Sequence, residues 1–218
     1  MILGVSYFAY ANNFFGIPIL GKSEDQFRQT IYYLMKDDRD KADAYYEQLI
    51  QSNPAIFKRI RITDFTIPCA EMILENNNHC PLCHGEKEYF DKHALNYLQF
   101  KFDYFLELAF QESSISEKDA FESAFKKSYE IFNKRKENVL NRQIFQGYVE
   151  QIHSDYFIIK DIDDTYFRLL GVVISSADKN DPLMGYCWPL QTDTHLFVDK
   201  EGKRSKVSSY TLNLWRDY

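Results

Sequence analysis

The hydrophobic period of this chain changes once, near Ile144, and that change limits the folds open to it. Upstream, apolar residues recur every three or four positions, as on a helix that buries one face. Downstream, the segments GYVEQIHS, YFIIKDI, TYFRLLGVVIS, YCWPLQTDTHLFVD and KVSSYTLNLWRDY are rich in β-branched and aromatic residues, with turn signals between them. Helices followed by strands specify an α+β fold. The expected layout is an N-terminal hairpin and a mainly helical region over 1–143. An antiparallel sheet or small barrel over 144–218 follows, packed with the first part as one unit.

Local signals place the helices. Ser23 and Gln26 form a capping box ahead of Phe27, Ile31 and Leu34. A second helix is expected from about Asp38 to Gln51, with Ala42, Tyr45, Tyr46, Leu49 and Ile50 inward. Asn53-Pro54 should start a short helix through Ile60, because proline suits the first helical position. Thr66 and Pro68 should start another through Glu75, with Cys69 in its first turn. Two long helices, Glu88 to Phe110 and Glu117 to Asn141, carry wide apolar stripes, and their short link at Ser113–Ser116 predicts antiparallel packing. Turns are expected at Asp161–Asp164, Ala177–Pro182 and Lys200–Lys203.

The first twenty residues carry no charge. No Lys or Arg precedes the apolar run, and Ala9-Tyr10-Ala11 comes too early for a signal-peptide cleavage site. Asn12, Asn13, Gly16 and Pro18 interrupt the run, which argues against a membrane span. A buried hairpin turning at Asn12–Asn13 is the reading adopted, and it could join the C-terminal sheet. Without a secretory signal, the four cysteines read as thiols or metal ligands in a cytoplasmic protein. The richness in Asn, Lys, Ile, Tyr and Phe points to an A+T-rich gene, bacterial or phage.

The chemistry concentrates in His79-Cys80-Pro81-Leu82-Cys83-His84. Two cysteines three apart can turn both sulfurs toward one point, and zinc accepts thiolate and imidazole in a tetrahedron. Cys69 precedes the pair by eleven residues, at a helix N-terminus expected to lower its pKa. His93 follows Cys83 by ten residues, early in the next helix. The candidate ligand set is Cys69, Cys80, Cys83 and His93, with His79 or His84 as replacements for His93. Cys187, beside Trp188, is read as buried or as a distant alternative ligand. Two or more thiolates favour a closed structural site. A knuckle followed by a ligand from a helix start resembles a treble-clef zinc finger between Cys80 and His93. The usual second paired motif is missing. A treble clef can host an HNH-type nuclease, which implies metal-binding and general-base histidines. Here His84 and His93 follow no β-hairpin that would complete that unit.

Other features read as structural. Lys126, Lys127, Lys134, Arg135, Lys136 and Arg142 make one helix end basic, as helix ends commonly are. Asp161, Asp163 and Asp164 fit a solvated turn, and the glycine and distal glutamate of a calcium loop are missing. No phosphate-binding glycine loop, nucleophile elbow or HExxH motif occurs. The formal net charge of −6 disfavours nucleic acid as a direct ligand and favours a basic protein partner. The expected function is a non-enzymatic protein-binding factor with a structural zinc site, of the inhibitor, immunity or phage–host accessory type. A metal-dependent nuclease or hydrolase, or a nucleic-acid-binding module, is the alternative.

Overall fold

The computed structural model describes residues 22–75, 77, 79–111, 115–171 and 178–217. The expected N-terminal hairpin lies outside them. The chain divides into two compact units, 1–64 with 99–128, and 65–98 with 129–218. The fold is α+β.

In the first unit, helix α1 (Lys22–Met35) buries Phe27, Ile31 and Leu34 at the spacing seen in the sequence. Asp37, at φ 58°, turns the chain out of α1. Helix α2 (Arg39–Ser52) is capped by Asp38, whose carboxylate accepts the Lys41 backbone N–H. It buries Ala42, Tyr46 and Leu49. Helix α3 (Pro54–Phe57) starts with proline as expected but stops at Phe57, short of Ile60. Asn53 does not cap it with its side chain. Its amide instead donates to Ser23 Oγ at 2.9 Å and to the Leu49 carbonyl. The core of this unit is largely phenylalanine: the Phe27 ring lies 4.6 Å from Phe102 and 5.4 Å from Phe125, and Phe57 lies 4.6 Å from Phe125. Arg28 reaches the buried Asp103 carboxylate at 2.8 Å, while burial pushes that carboxyl above its ordinary pKa.

The second unit begins with a two-strand ladder, β1 (Ile67–Pro68) against β2 (Glu88–Tyr89), antiparallel. Helix α4 (Ala70–Glu75) lies between them in sequence. Glu88 and Tyr89 were expected to open the long helix. They are strand because α5 (Lys92–Gln111) is capped later, by Asp91, which accepts the Ala94 N–H at 2.8 Å. Helix α6 (Glu117–Asn138) gives way to a 3-10 turn at Val139–Asn141. Both long helices contribute residues to both units.

Five strands follow: β3 (Gln143–Ile152), β4 (Tyr156–Asp161), β5 (Tyr166–Leu170), β6 (Pro182–Val198) and β7 (Arg204–Thr211). They close into a barrel in the order β3-β4-β5-β7-β6. The expected antiparallel barrel is thus present, and every pair is antiparallel except β5–β7, which is parallel. The exception arises because β6 crosses over to pair with β3. That leaves β7 to return between β5 and β6. This order sets the third and fifth strands of the barrel side by side and parallel, a topology that does not fix a function. Phe145, Val149, Phe157, Ile159, Phe167, Leu169 and Cys187 fill the interior. Asp164 (φ 61°) turns β4 into β5. The Asp199 carboxylate collects the Glu201 and Lys203 N–H groups, each at 2.9 Å, at the β6–β7 turn.

At Gly147 the barrel wall closes tightly on its own backbone. A Cβ there would lie 2.4 Å from the Lys160 carbonyl oxygen and 2.8 Å from Ile159 Cγ2. Backbone cannot yield as a flexible side chain can, so Gly147→Ala should destabilise the barrel by about 1–3 kcal/mol. Gly185→Ala meets only the edge of the Phe145 ring, at 3.3 Å, and should cost less. Thermal melts of the two variants, compared with the parent, check the order.

Candidate metal centre

The centre is built from three short pieces of backbone. The β1–β2 ladder holds Cys69, whose N–H donates to the Lys87 carbonyl at 2.8 Å. Cys69 immediately precedes α4, and its own carbonyl accepts the Ile73 N–H. The knuckle reverses the chain at Cys80–Gly85, where His84 N–H donates to Cys80 O and Glu86 N–H to Cys83 O. The reversal takes two successive left-handed residues, His84 at φ 51° and Gly85 at φ 86°. Glycine adopts that region without penalty, whereas a residue with a Cβ is strained there by about 1–2 kcal/mol.

This geometry brings Cys69, Cys80 and Cys83 together, with their sulfurs within 4.8 Å of one another. The Cys69 and Cys80 sulfurs are 3.6 Å apart, too far for a disulfide, and all three cysteines are free thiols. Two ligands at the usual zinc–thiolate distance on a tetrahedron have sulfurs about 3.8 Å apart. Three thiols this close together could hold a metal ion. All three are buried, with Met72 and Tyr89 packed over them.

Burial pushes the Cys69 thiol up to about 12, helped by its hydrogen bonds to the neighbouring cysteines. The Met72 amide acts the other way, as a helix start should, but burial outweighs it. The expected lowering of Cys69 is thereby corrected. Burial also opposes ionisation of Cys83, yet the Cys69 and Cys80 thiols and the Gly85 and Cys83 amides point hydrogens at its sulfur and draw its pKa below the ordinary value. Burial, then the Asp91 carboxylate that accepts its hydroxyl, raises Tyr89.

His93 is not among the gathered ligand atoms. It lies in the first turn of α5, on the exposed side opposite Ala94, Leu95, Tyr97 and Leu98. His79 and His84 are exposed and also outside the group. Cys187 faces the barrel interior, where burial pushes its thiol up to about 11. The acids near the knuckle have local partners: Glu88 accepts the Thr66 hydroxyl and Asp91 caps α5. Asp161–Asp164 form the β4–β5 turn, with Asp164 ion-paired to Lys160 at 2.7 Å. Arg135 is tied to the Asp217 carboxylate, also at 2.7 Å.

One cluster escaped sequence reasoning. Glu75, the last residue of α4, accepts hydrogen bonds at a single carboxylate oxygen from Arg142 and from the Tyr186 hydroxyl, the latter at 2.7 Å. The Arg142 guanidinium stacks over the Tyr186 ring at 4.1 Å. These residues are 67 and 111 positions from Glu75, and no local pattern joins them.

No protein-family model matches the sequence, and comparison with curated proteins and with solved structures finds no similar chain.

The burial of the four thiols has two different origins, a loop and a barrel core. Alkylation of chelator-treated protein, read by mass spectrometry, should label Cys69, Cys80 and Cys83 first. Cys187 should react only in denaturant that opens the barrel.

Proposed function

We propose that the chain is a non-enzymatic, cytoplasmic protein-binding factor, of the inhibitor, immunity or phage–host accessory type, stapled by a structural zinc ion. The convergence of three buried thiols carries the reading. The segments around them cannot stand alone: α4 has six residues and β1 and β2 two each. Helices and ladders this short are marginal in water without a cross-link. A structural zinc ion contributes about 10–16 kcal/mol of binding free energy in small peptides, which is ample to fix them. The buried sulfurs under Met72 and Tyr89 leave little approach for a substrate, which favours a structural role.

A protein partner is supported by large apolar residues exposed on the barrel and by the net charge of −6. A nucleic-acid-binding barrel would offer free aromatic faces for stacking bases. On β4 and β5 the tyrosine faces are covered, Tyr156 by His153 at 4.3 Å and Arg168 at 4.7 Å and Tyr166 by Phe197, while Tyr148 on β3 is left half exposed. Among the described residues no helix is long and apolar enough to cross a membrane.

A metal-dependent hydrolase remains the second reading, because three protein ligands match the count of a catalytic zinc site with its water. The two readings separate in one experiment. Elemental analysis of untagged protein should give one zinc per chain. Cys80→Ser should lose it and melt at markedly lower temperature, whereas His93→Ala should keep it. Zinc lost from Cys80→Ser without loss of the fold would favour the hydrolase.

A further inference from the structure

Strands β3 and β6 pair along their first halves, with Ile144 opposite Tyr186, Gln146 opposite Met184 and Tyr148 opposite Pro182. Side chains on a strand alternate between faces, and these six share the outer one. Their partners in the alternation, Phe145, Gly147, Val149 and Cys187, face inward. Apart from Gln146, the outer row is apolar where a barrel wall normally turns polar. Ile144 is 71% exposed, Met184 74%, Tyr148 52% and Tyr186 39%. Four large apolar side chains side by side on two adjacent strands form a patch, not scattered surface residues.

The rim of this patch is acidic. Strand β4 borders β3 on the Tyr148 side and leads into Asp161, Asp163 and Asp164. Asp178 and Asp181 precede β6, and Asp181 accepts the Val149 N–H at 3.0 Å, beside Tyr148. Lys160 is engaged by Asp164, and Arg142 by Glu75. Lys179 stands between Asp178 and Asp181 in the sequence. The opposite end of the patch is set by Glu75, which holds the Tyr186 hydroxyl. Glu75 ends α4, and Cys69 immediately precedes it, so about 9 Å of helix connects a metal ligand to the edge of the patch.

We propose that the outer β3–β6 face is the docking surface for a basic protein segment carrying a central apolar side chain, with Glu75 fixing its edge from the metal centre. An apolar centre excludes water while unlike charges at the rim steer the partner, the arrangement of specific interfaces. A polyanion is repelled by the same rim. The inference rests on the protein-binding reading above and assigns it a place and a partner chemistry.

Full-length protein loaded with zinc is used to select binders from a displayed random-peptide library, and the peptides are synthesised and titrated. Selected peptides should be Lys- or Arg-rich around an apolar residue. They should bind Ile144→Ser/Met184→Ser at least tenfold more weakly, with Tm and zinc content unchanged. Leu196→Ser/Val198→Ser, exposed residues elsewhere on the barrel, should bind as the parent does. Glu75→Gln should weaken binding several-fold with zinc retained. Peptides that bind the Ile144→Ser/Met184→Ser variant as tightly as the parent would overturn the face while leaving a protein-binding role standing. Neutral or acidic peptides would overturn the partner chemistry. Self-association of the parent in sedimentation, abolished in the same double variant, would show that a second copy occupies the face and also overturn the proposal. Binding of single-stranded oligonucleotide, lost in that variant, would overturn it together with the protein-binding reading.

Discussion

Strand β6 is the member on which the second unit depends. Its first half pairs with β3 and its second with β7, so one continuous strand closes the barrel. It passes from β3 at Cys187 to β7 at Trp188, and its register against β7 then shifts between Pro189 and Thr194. Within a few residues it also places Cys187 in the interior, sends the Trp188 indole N–H to the Val139 carbonyl at 3.0 Å, and presents Tyr186 to Glu75. The alternation of a strand sends these consecutive side chains to different faces. The barrel core, the end of α4 and the 3-10 turn after α6 are therefore tied to one backbone.

The sequence made local events legible and left distant ones hidden. The change of period at Ile144 locates the barrel because a strand buries every second residue, whatever its partners. Asn53-Pro54 and Lys200–Lys203 were readable for the same reason: caps and turns depend on residues within reach of their own backbone. The parallel β5–β7 pair was not readable. Antiparallel neighbours follow from short turns, but a crossover depends on which strand edge is still free. The patch on β3 and β6 was also ambiguous. Ile144 and Tyr148 alternate with Phe145 and Val149, so both faces of the strand are apolar and the pattern alone does not say which is buried.

The candidate site divides along the same line. Cys80 and Cys83 are brought together by the knuckle itself, and Cys69 by the β1–β2 ladder, which its own hydrogen bond to Lys87 extends. His93 lies ten residues beyond Cys83, early in the next helix. A helix turns about 100° per residue, and the start of α5 is fixed by Asp91. Ala94 and Leu95 thus occupy the buried side and His93 the other. The Glu75–Arg142–Tyr186 cluster belongs wholly to tertiary structure, since a glutamate, an arginine and a tyrosine carry no spacing of their own.

The position of β7 between β5 and β6 bears on how the protein emerges during synthesis. Until β7 has left the ribosome, β5 and the second half of β6 both present open edges, each a template for pairing with another chain. The nascent barrel is thus a half-finished sheet for as long as its closing strand is missing. The charges crowded into the turn and strand that complete it, at Lys200, Lys203, Arg204 and Lys206, come at the stage when repulsion between neighbouring chains is most useful.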